Sequence, residues 1–375
     1  MNKPIKRRLA LAAVAVLFAT MGVTQAWAGC LMTNQDLGVD ARAAVVMEAS
    51  TGLLLFAQDA HKQLPMASTT KIMTALLTLE QPQLDQLFVV EDEDIRVEGS
   101  SMGLLGGDTV TLRALAGGML MASGNDAAQA AAVFIAGSIP DFALLMNRRA
   151  GELGMEDTQF VTPSGLDDPE HYSTAYDMAL LGRAALQNPL FAEMCGSSRL
   201  SLSYGNPPYD RSLRNHNRLV RDFPGTIGIK TGFTKRSGRC LVSAVEREGI
   251  TLICVTLGCG DDWNVHKGLY ERYFDRLTLA PLPDPGPITV PVTGGIASSV
   301  RLAPEQPPLL PQGEGWPGEV TTRVYAPQFL YAPQIKGDIA GKMVYYIGDY
   351  KVGESPLLVQ QDVPQAQKGR KGAPS

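Results

Sequence analysis

Ser68-Thr69-Thr70-Lys71, Ser123-Gly124-Asn125 and Lys230-Thr231-Gly232 each occur once in this chain, in that order. The first is a serine with a lysine three residues on, so on a helix both side chains project from one face. A serine in the first helical turn feels the positive end of the dipole and lies beside unpaired N–H groups, which favours an oxyanion there. Lys71 accepts the Ser68 proton only when neutral. Partial burial beside a second cation, Lys230, would lower its pKa and supply that state. The Ser123 hydroxyl is suited to relay a proton between Lys71 and a leaving amine, and the Asn125 amide to hold substrate backbone. A strand ending in Lys230 and Thr231 presents both to a carboxylate, and Gly232 lets another backbone approach. The N–H of Phe233 then joins that of Ser68 as a pair of oxyanion donors. Residue types at these spacings suit attack by a serine with a lysine as its base, and neither a metal nor a cofactor is expected.

Each motif alone has a plainer reading. An S-x-x-K match is expected about once by chance in a chain of this composition, with the serine as an N-cap and the lysine solvated. Ser-Gly-Asn is also what a turn between helices uses. Lys-Thr-Gly fits an edge-strand lysine before a turn. The three in order, 55 and then 107 residues apart, are far more specific than any one.

These residues need a scaffold of helices and strands. Ala43–Met47 and Leu53–Ala57 flank Ala49-Ser50-Thr51-Gly52 and predict a hairpin. Cys240–Val245 and Ile250–Leu257 predict another around Arg247-Glu248-Gly249. Met66–Glu80, Leu112–Ala122, Asp126–Ile135, Phe142–Leu153 and Trp263–Leu277 carry helical patterns. Strands at both ends with helices between them predict an α+β domain on one antiparallel sheet closed by its termini. The prolines of residues 280–287 predict an extended connector. Beyond it, alternation at Ile288, Val290 and Val292 and at Met343, Tyr345 and Ile347 predicts a small all-β domain. After Val363 the polar tail with Lys368, Arg370 and Lys371 is expected to be disordered.

Lys3, Lys6, Arg7 and Arg8, then the apolar run from Leu9 to Val23 and Ala26-Trp27-Ala28, predict a signal peptide over residues 1–28. Its removal takes the formal net charge from −5 to −9, which argues against nucleic acid as a partner. Cys30 offers an alternative lipid anchor, although Trp27 stands where lipoprotein processing takes a Leu-like residue. Membrane association is otherwise expected to be weak. Cys254, Cys259 and His266 lack a C-x-x-C pair, so Cys254 and Cys259 are read as buried thiols or one disulfide rather than metal ligands.

From about Asp40 to Val363 the chain resembles the D-alanyl-D-alanine carboxypeptidases among the low-molecular-mass penicillin-binding proteins. Residues 65–74, Ser123–Ala128, Met146-Asn147, Leu153–Met155, Gly165–Asp167, His171–Asp177 and Gly228–Thr234 carry the resemblance. The stretch His171–Asp177 looks like part of that family's connecting loop. The resemblance implies a β-lactamase/transpeptidase-like catalytic domain over 36–279, a linker at 280–287, a β-domain over 288–363 and a tail over 364–375. It also implies an acyl-enzyme on Ser68, peptidoglycan stem peptides as substrates, β-lactams as inhibitors and action in the periplasm or on the outer face of the cytoplasmic membrane. His216 stands where relatives often carry arginine for the substrate carboxylate, Thr162 where they carry asparagine, and the tail lacks their amphipathic helix. Two other functions compete. A class A-like β-lactamase is disfavoured by the lack of a Glu-x-x-Leu-Asn loop between Ser123 and Lys230. A non-catalytic peptidoglycan-binding scaffold is disfavoured by intact Ser68, Lys71, Ser123 and Lys230.

Overall fold

Five antiparallel strands form the catalytic sheet, in the order Leu54–Gln58, Ala41–Glu48, Ile250–Cys259, Gly238–Arg247 and Thr226–Thr234. The N-terminal hairpin therefore pairs with the last strands of the domain, as the pattern predicts. The structure, a computed structural model, describes residues 38–282, 286, 288–304, 309–313 and 319–366. The predicted signal peptide and Cys30 lie outside the described residues.

Both faces of the sheet are covered, so its inner strands are mostly apolar on both sides, with Ser243 and Thr256 as buried polar exceptions. Cys240, Val242 and Ala244 face a core built with the helices Lys71–Leu79, Leu112–Met121, Asn125–Ala136, Ile139–Glu152, Ala175–Leu186 and Pro189–Gly196. Leu241 and Val245 face Leu269, Tyr270 and Tyr273 of the helix Asp262–Phe274 on the other side. Burying a side chain of this size contributes about 1.5–3 kcal/mol, so the sheet is a rigid support for whatever its edge presents. Thr226–Thr234 is that edge.

The predicted helix Met66–Glu80 is divided. Ala67–Thr70 is a 3-10 turn and the α-helix runs from Lys71 to Leu79. Ala67 takes a left-handed φ of 51°, and the Thr69 and Thr70 hydroxyls donate back to the Met66 and Ala67 carbonyls at 2.6 and 2.8 Å. Such side-chain bonds compete with α-helical pairing. The stretch read as loop through Asp177 also differs: Thr174 accepts from the Asp177 N–H at 3.0 Å and caps a helix that begins at Ala175. A second sheet, of Phe88–Val89, Thr109–Val110, Arg199–Gly205 and Pro208–Arg214, was not predicted.

Trp263–Leu277 is also corrected. Its helix stops at Phe274, and Leu277–Pro281 is a strand antiparallel to Leu309–Gly313. Ala280 and Pro281 thus belong to a ladder rather than an unpaired connector. Pro281 sits at its last position, where its missing N–H costs least. Residues 283–285 and 287 lie outside the described residues, and Leu282 is buried in the C-terminal core. That core, with Val290, Val292, Met343, Tyr345 and Ile347 inward, belongs to a six-stranded sheet. Pro364, Gln365 and Ala366, expected to be disordered, are bonded to the 294–296 turn, with Ala366 N–H 2.8 Å from the Gly294 carbonyl. Residues 367–375 lie outside the described residues. Cys195, Cys240, Cys254 and Cys259 are buried free thiols.

Candidate active site

The three motifs converge. Lys71 Nζ lies 3.0 Å from Ser68 Oγ, 2.6 Å from Asn125 Oδ1 and 2.6 Å from the Ser164 carbonyl oxygen. The last two groups only accept. They fit two N–H bonds of a neutral amine, leaving its lone pair for the Ser68 hydroxyl. Lys71 is fully buried, and its pKa is held well below the usual lysine range, first by burial and then by the charge of Lys230. Asp126 opposes this but does not reverse it. Ser68 itself is partly exposed, so a buried amine lowered in pKa sits beneath a hydroxyl that opens to solvent.

Lys230 Nζ donates to Ser123 Oγ at 3.1 Å and to the Thr231 carbonyl at 2.8 Å. Burial alone lowers its pKa to about 7. Ser123 is held in a left-handed conformation with φ of 58°, a strained state for a non-glycine residue that persists only where the surroundings impose it. Its hydroxyl meets Lys230 rather than Lys71, which departs from the expected link between Ser123 and Lys71.

Gly232 explains why the strand can approach. A Cβ there would lie 3.0 Å from Met66 O, Ser68 N and Thr69 N, so any larger residue would push the edge strand off the nucleophile turn. Phe233 follows, 66% exposed, and the next residue, Thr234, donates its hydroxyl to Asp167 at 2.8 Å. Asn215 and Asn217 are buried and bond the surrounding backbone, leaving His216 on the rim. Partial burial and the Lys230 charge lower the His216 pKa.

Three contributors escaped the sequence reading. The Ser164 carbonyl, a main-chain group, is fixed by a loop whose Pro163 carbonyl accepts from Thr74 Oγ1 at 2.6 Å. Thr162 still serves that loop, accepting from the Gly165 N–H at 3.1 Å. Asp126 accepts from Ser101 Oγ and from the N–H groups of Met102, Gly103, Leu104 and Ala127. It thereby fixes the segment whose Ser100 and Glu98 carbonyls hold Asn125. Its position directly after Ser-Gly-Asn was the available signal. His171 is the third. Among the described residues no group of three or more His, Cys, Asp and Glu is placed to hold a metal ion.

Residues 31–260 match the D-alanyl-D-alanine carboxypeptidase family, and residues 287–365 match the penicillin-binding protein 5 C-terminal domain. The chain is 31% identical over 350 residues to D-alanyl-D-alanine carboxypeptidase DacF of Bacillus subtilis (strain 168), covering 89% of this chain and 88% of that one. It is 32% identical over 355 residues to D-alanyl-D-alanine carboxypeptidase DacC of Escherichia coli (strain K12), covering 89% and 86%. The crystal structure of penicillin binding protein 5 from Haemophilus influenzae superposes with a TM-score of 0.67 at 27% identity, over 88% of this chain and 99% of that chain. With the family match spanning most of the catalytic domain and these relatives alike along nearly the whole length, the chain belongs to the D-alanyl-D-alanine carboxypeptidase family.

Proposed function

We propose that Ser68 is the nucleophile of a serine-type D-Ala-D-Ala carboxypeptidase that trims peptidoglycan stem peptides. The observation that carries this is the Ser68–Lys71 pair, with the lysine buried, lowered in pKa and bonded by two acceptors that suit its neutral form. Ser68 Oγ attacks the penultimate D-alanine carbonyl while its proton passes to Lys71 Nζ. The oxyanion is held by the N–H groups of Ser68 and Phe233. The C–N bond breaks, the amine takes a proton through Lys71 or the Ser123–Lys230 pair, and D-alanine leaves. Water then attacks the ester, gives its proton to Lys71 and restores Ser68. Lys230 as ammonium, Thr231 and His216 receive the terminal carboxylate, and Asn125 holds the peptide backbone.

The β-lactamase alternative asks for a carboxylate that activates the deacylating water. The carboxylate that acts on Lys71, Asp126, is occupied by one hydroxyl and four N–H groups. The loop facing Lys71 offers a carbonyl instead. Slow deacylation, and so inhibition by β-lactams, follows. Cleavage after Ala28 would deliver the enzyme to the cell wall. Lipidation of Cys30 would tether it there, and comparing the membrane fractions of the parent and Cys30→Ser separates the two.

The decisive experiment is incubation with a D-Ala-D-Ala peptide and, separately, a fluorescent penicillin. Free D-alanine and a long-lived adduct on Ser68 are expected, and Ser68→Ala should lose both. A penicillin adduct on Ser68→Ala, mapped to another serine, would sink the assignment. Rapid turnover of penicillin without D-alanine release would move the protein to the β-lactamase reading.

A further inference from the structure

His171 is buried to 3% exposure and takes no part in the steps above, yet its ring joins two segments of the site. Nδ1 lies 2.9 Å from the Val161 N–H and 3.3 Å from the Thr162 N–H. Both are donors, so Nδ1 carries no proton and the neutral ring bears its hydrogen on Nε2. Nε2 lies 2.8 Å from Thr70 Oγ1. That hydroxyl donates onward to the Ala67 carbonyl at 2.8 Å. Every donor and acceptor in the chain from Val161 to Ala67 is therefore fixed in one direction.

The end of that chain matters because of peptide geometry. The Ala67 carbonyl and the Ser68 N–H belong to one planar trans unit and point in opposite directions. On the carbonyl side stands Gly165, where a Cβ would lie 2.0 Å from Ala67 O and 2.7 Å from Thr70 Oγ1. On the N–H side stands Gly232, where a Cβ would lie 3.0 Å from Ser68 N. Ala67 holds this orientation at a φ of 51°, which the chain would not adopt unaided. The other arm of His171 anchors residues 161 and 162, the start of the loop whose Ser164 carbonyl accepts from Lys71.

We propose that His171 is a positioning residue for acyl transfer, acting through Thr70 to aim the Ser68 N–H at the developing oxyanion and through the 161–165 loop to place the acceptor of Lys71. The charged groups that bear on its ring are Lys71, which disfavours protonation, and Asp168, which favours it. Burial outweighs both and lowers the pKa to about 4, so the neutral tautomer holds at working pH. This inference rests on Ser68 acylation, the core of the proposed function.

Asparagine carries an oxygen near the Nδ1 position and glutamine a nitrogen near the Nε2 position, so the two arms can be separated. In His171→Asn, acylation of Ser68 by penicillin should slow about 10- to 100-fold, the cost of a catalytic group displaced by about an ångström. The affinity for a peptide boronic acid, which makes a tetrahedral adduct on Ser68, should fall by the same factor while KM for the peptide stays within about twofold. His171→Gln, which keeps the donor to Thr70, should recover most of the loss. Thr70→Val should reproduce it, and adding His171→Asn to Thr70→Val should change acylation less than about threefold. Parent acylation with only a lowered Tm in His171→Asn would overturn the proposal, as would losses that multiply in the double variant. Should the His171 variants fail to fold, Thr70→Val alone decides, parent-like acylation and boronate affinity counting against the relay. Absence of D-alanine release from the parent would refute the carboxypeptidase reading, while the penicillin and boronate measurements would still judge His171.

Discussion

Two buried polar clusters lie on opposite sides of the catalytic sheet, built from the same kind of parts. On the side of the helical core, Lys71 and Lys230 meet Ser68, Ser123 and Asn125. On the other, His266 lies 2.7 Å from Ser243 Oγ and 2.9 Å from Thr256 Oγ1, and Tyr270 Oη lies 2.7 Å from Ser243 Oγ. In both, burial drives a basic group towards neutrality: Lys71 well below its usual range, Lys230 to about 7 and His266 to about 3. The difference is closure. Ser243, Thr256 and His266 are all at 0% exposure, each spending its polar atoms on another buried group. Ser68 is partly exposed, and the site opens beside Phe233. A perturbed pKa thus marks burial on both sides of the sheet, and only on one side does it lie beside a hydroxyl that a substrate can reach.

The hardest way to break that comparison is to remove the Lys71 amine, the base of the proposed mechanism. Lys71→Met keeps an unbranched chain in the buried slot and takes away the proton acceptor. Penicillin acylation should fall about 10³-fold, within the range for general-base catalysis, and Tm should fall too, because the buried Asn125 Oδ1 and Ser164 carbonyl lose their donor at about 1–3 kcal/mol for each group left unsatisfied. Stopped-flow labelling and calorimetry test this. An acylation rate within tenfold of the parent would place the base elsewhere.

Lys230 tests whether the lowered pKa on this side is functional. If its ammonium receives the substrate carboxylate, kcat/KM should fall about tenfold per unit once pH rises past about 7. Lys230→Arg, which stays charged, should carry that limb beyond pH 9 even at a lower maximum. The same falling limb in the arginine variant would assign it to another group. The stability sign runs the other way. The unfolded lysine binds a proton over the window from about 7 to its ordinary value, so the parent gains stability as pH rises through it.

His266→Leu probes the closed cluster, and it should act on stability alone. Ser243 and Thr256 lose a partner each, which costs about 1–3 kcal/mol per buried group left unsatisfied, while penicillin acylation stays at the parent rate. The pH dependence sharpens this. With a folded pKa of about 3, His266 binds its proton only on unfolding between pH 6.5 and 3, so the parent loses stability on acidification through that window. The variant lacks this loss. The gap between them in urea unfolding should narrow by about 2 kcal/mol from pH 6.5 to 5. A gap that widens would show His266 charged in the folded protein.

The two clusters differed in legibility too. Ser68, Lys71, Ser123, Asn125 and Lys230 could be picked out because their chemistry ties fixed residue types to short spacings. His266 entered only as a neighbour of Cys254 and Cys259, since nothing in its local sequence tells a core histidine from a ligand. The Ser164 carbonyl had no side-chain signature, and His171 sat in a stretch read as loop. The break in the predicted Met66–Glu80 helix goes with the Thr69 and Thr70 hydroxyls bonding back to Met66 and Ala67, and with the close approach of Gly165 and Gly232, which lie far off in sequence. Sheet and hairpins were readable because Ala43–Met47 and Ile250–Leu257 are short runs rich in apolar and β-branched residues that flank turn residues. The Leu277–Pro281 strand was hidden by the prolines that follow it. The Arg199–Arg214 hairpin alternates on a mostly exposed surface, where the burial pattern that betrays a strand is weak.

The smallest expected effect lies where the catalytic and C-terminal domains touch, at a polar contact that is neither closed like the His266 cluster nor part of the Lys71 site. Tyr350 Oη donates to the Thr51 carbonyl at 3.3 Å, at the tip of the first hairpin. The turn there is already secured from within. The Glu48 carboxylate accepts from the N–H and hydroxyl of both Ser50 and Thr51, and Arg183 donates to the Ala49 and Ser50 carbonyls. Leu53 beside it packs against the C-terminal core. Tyr350 is 42% exposed, so water replaces most of what its hydroxyl loses. Tyr350→Phe should therefore cost less than about 1 kcal/mol and leave penicillin acylation at the parent rate. Urea unfolding followed by separate probes in the two domains measures it. A loss above about 2 kcal/mol, or an altered acylation rate, would mean that this contact couples the C-terminal domain to the hairpin of the catalytic sheet. Buried polar groups would then not be the only ones in this protein whose removal is felt at the site.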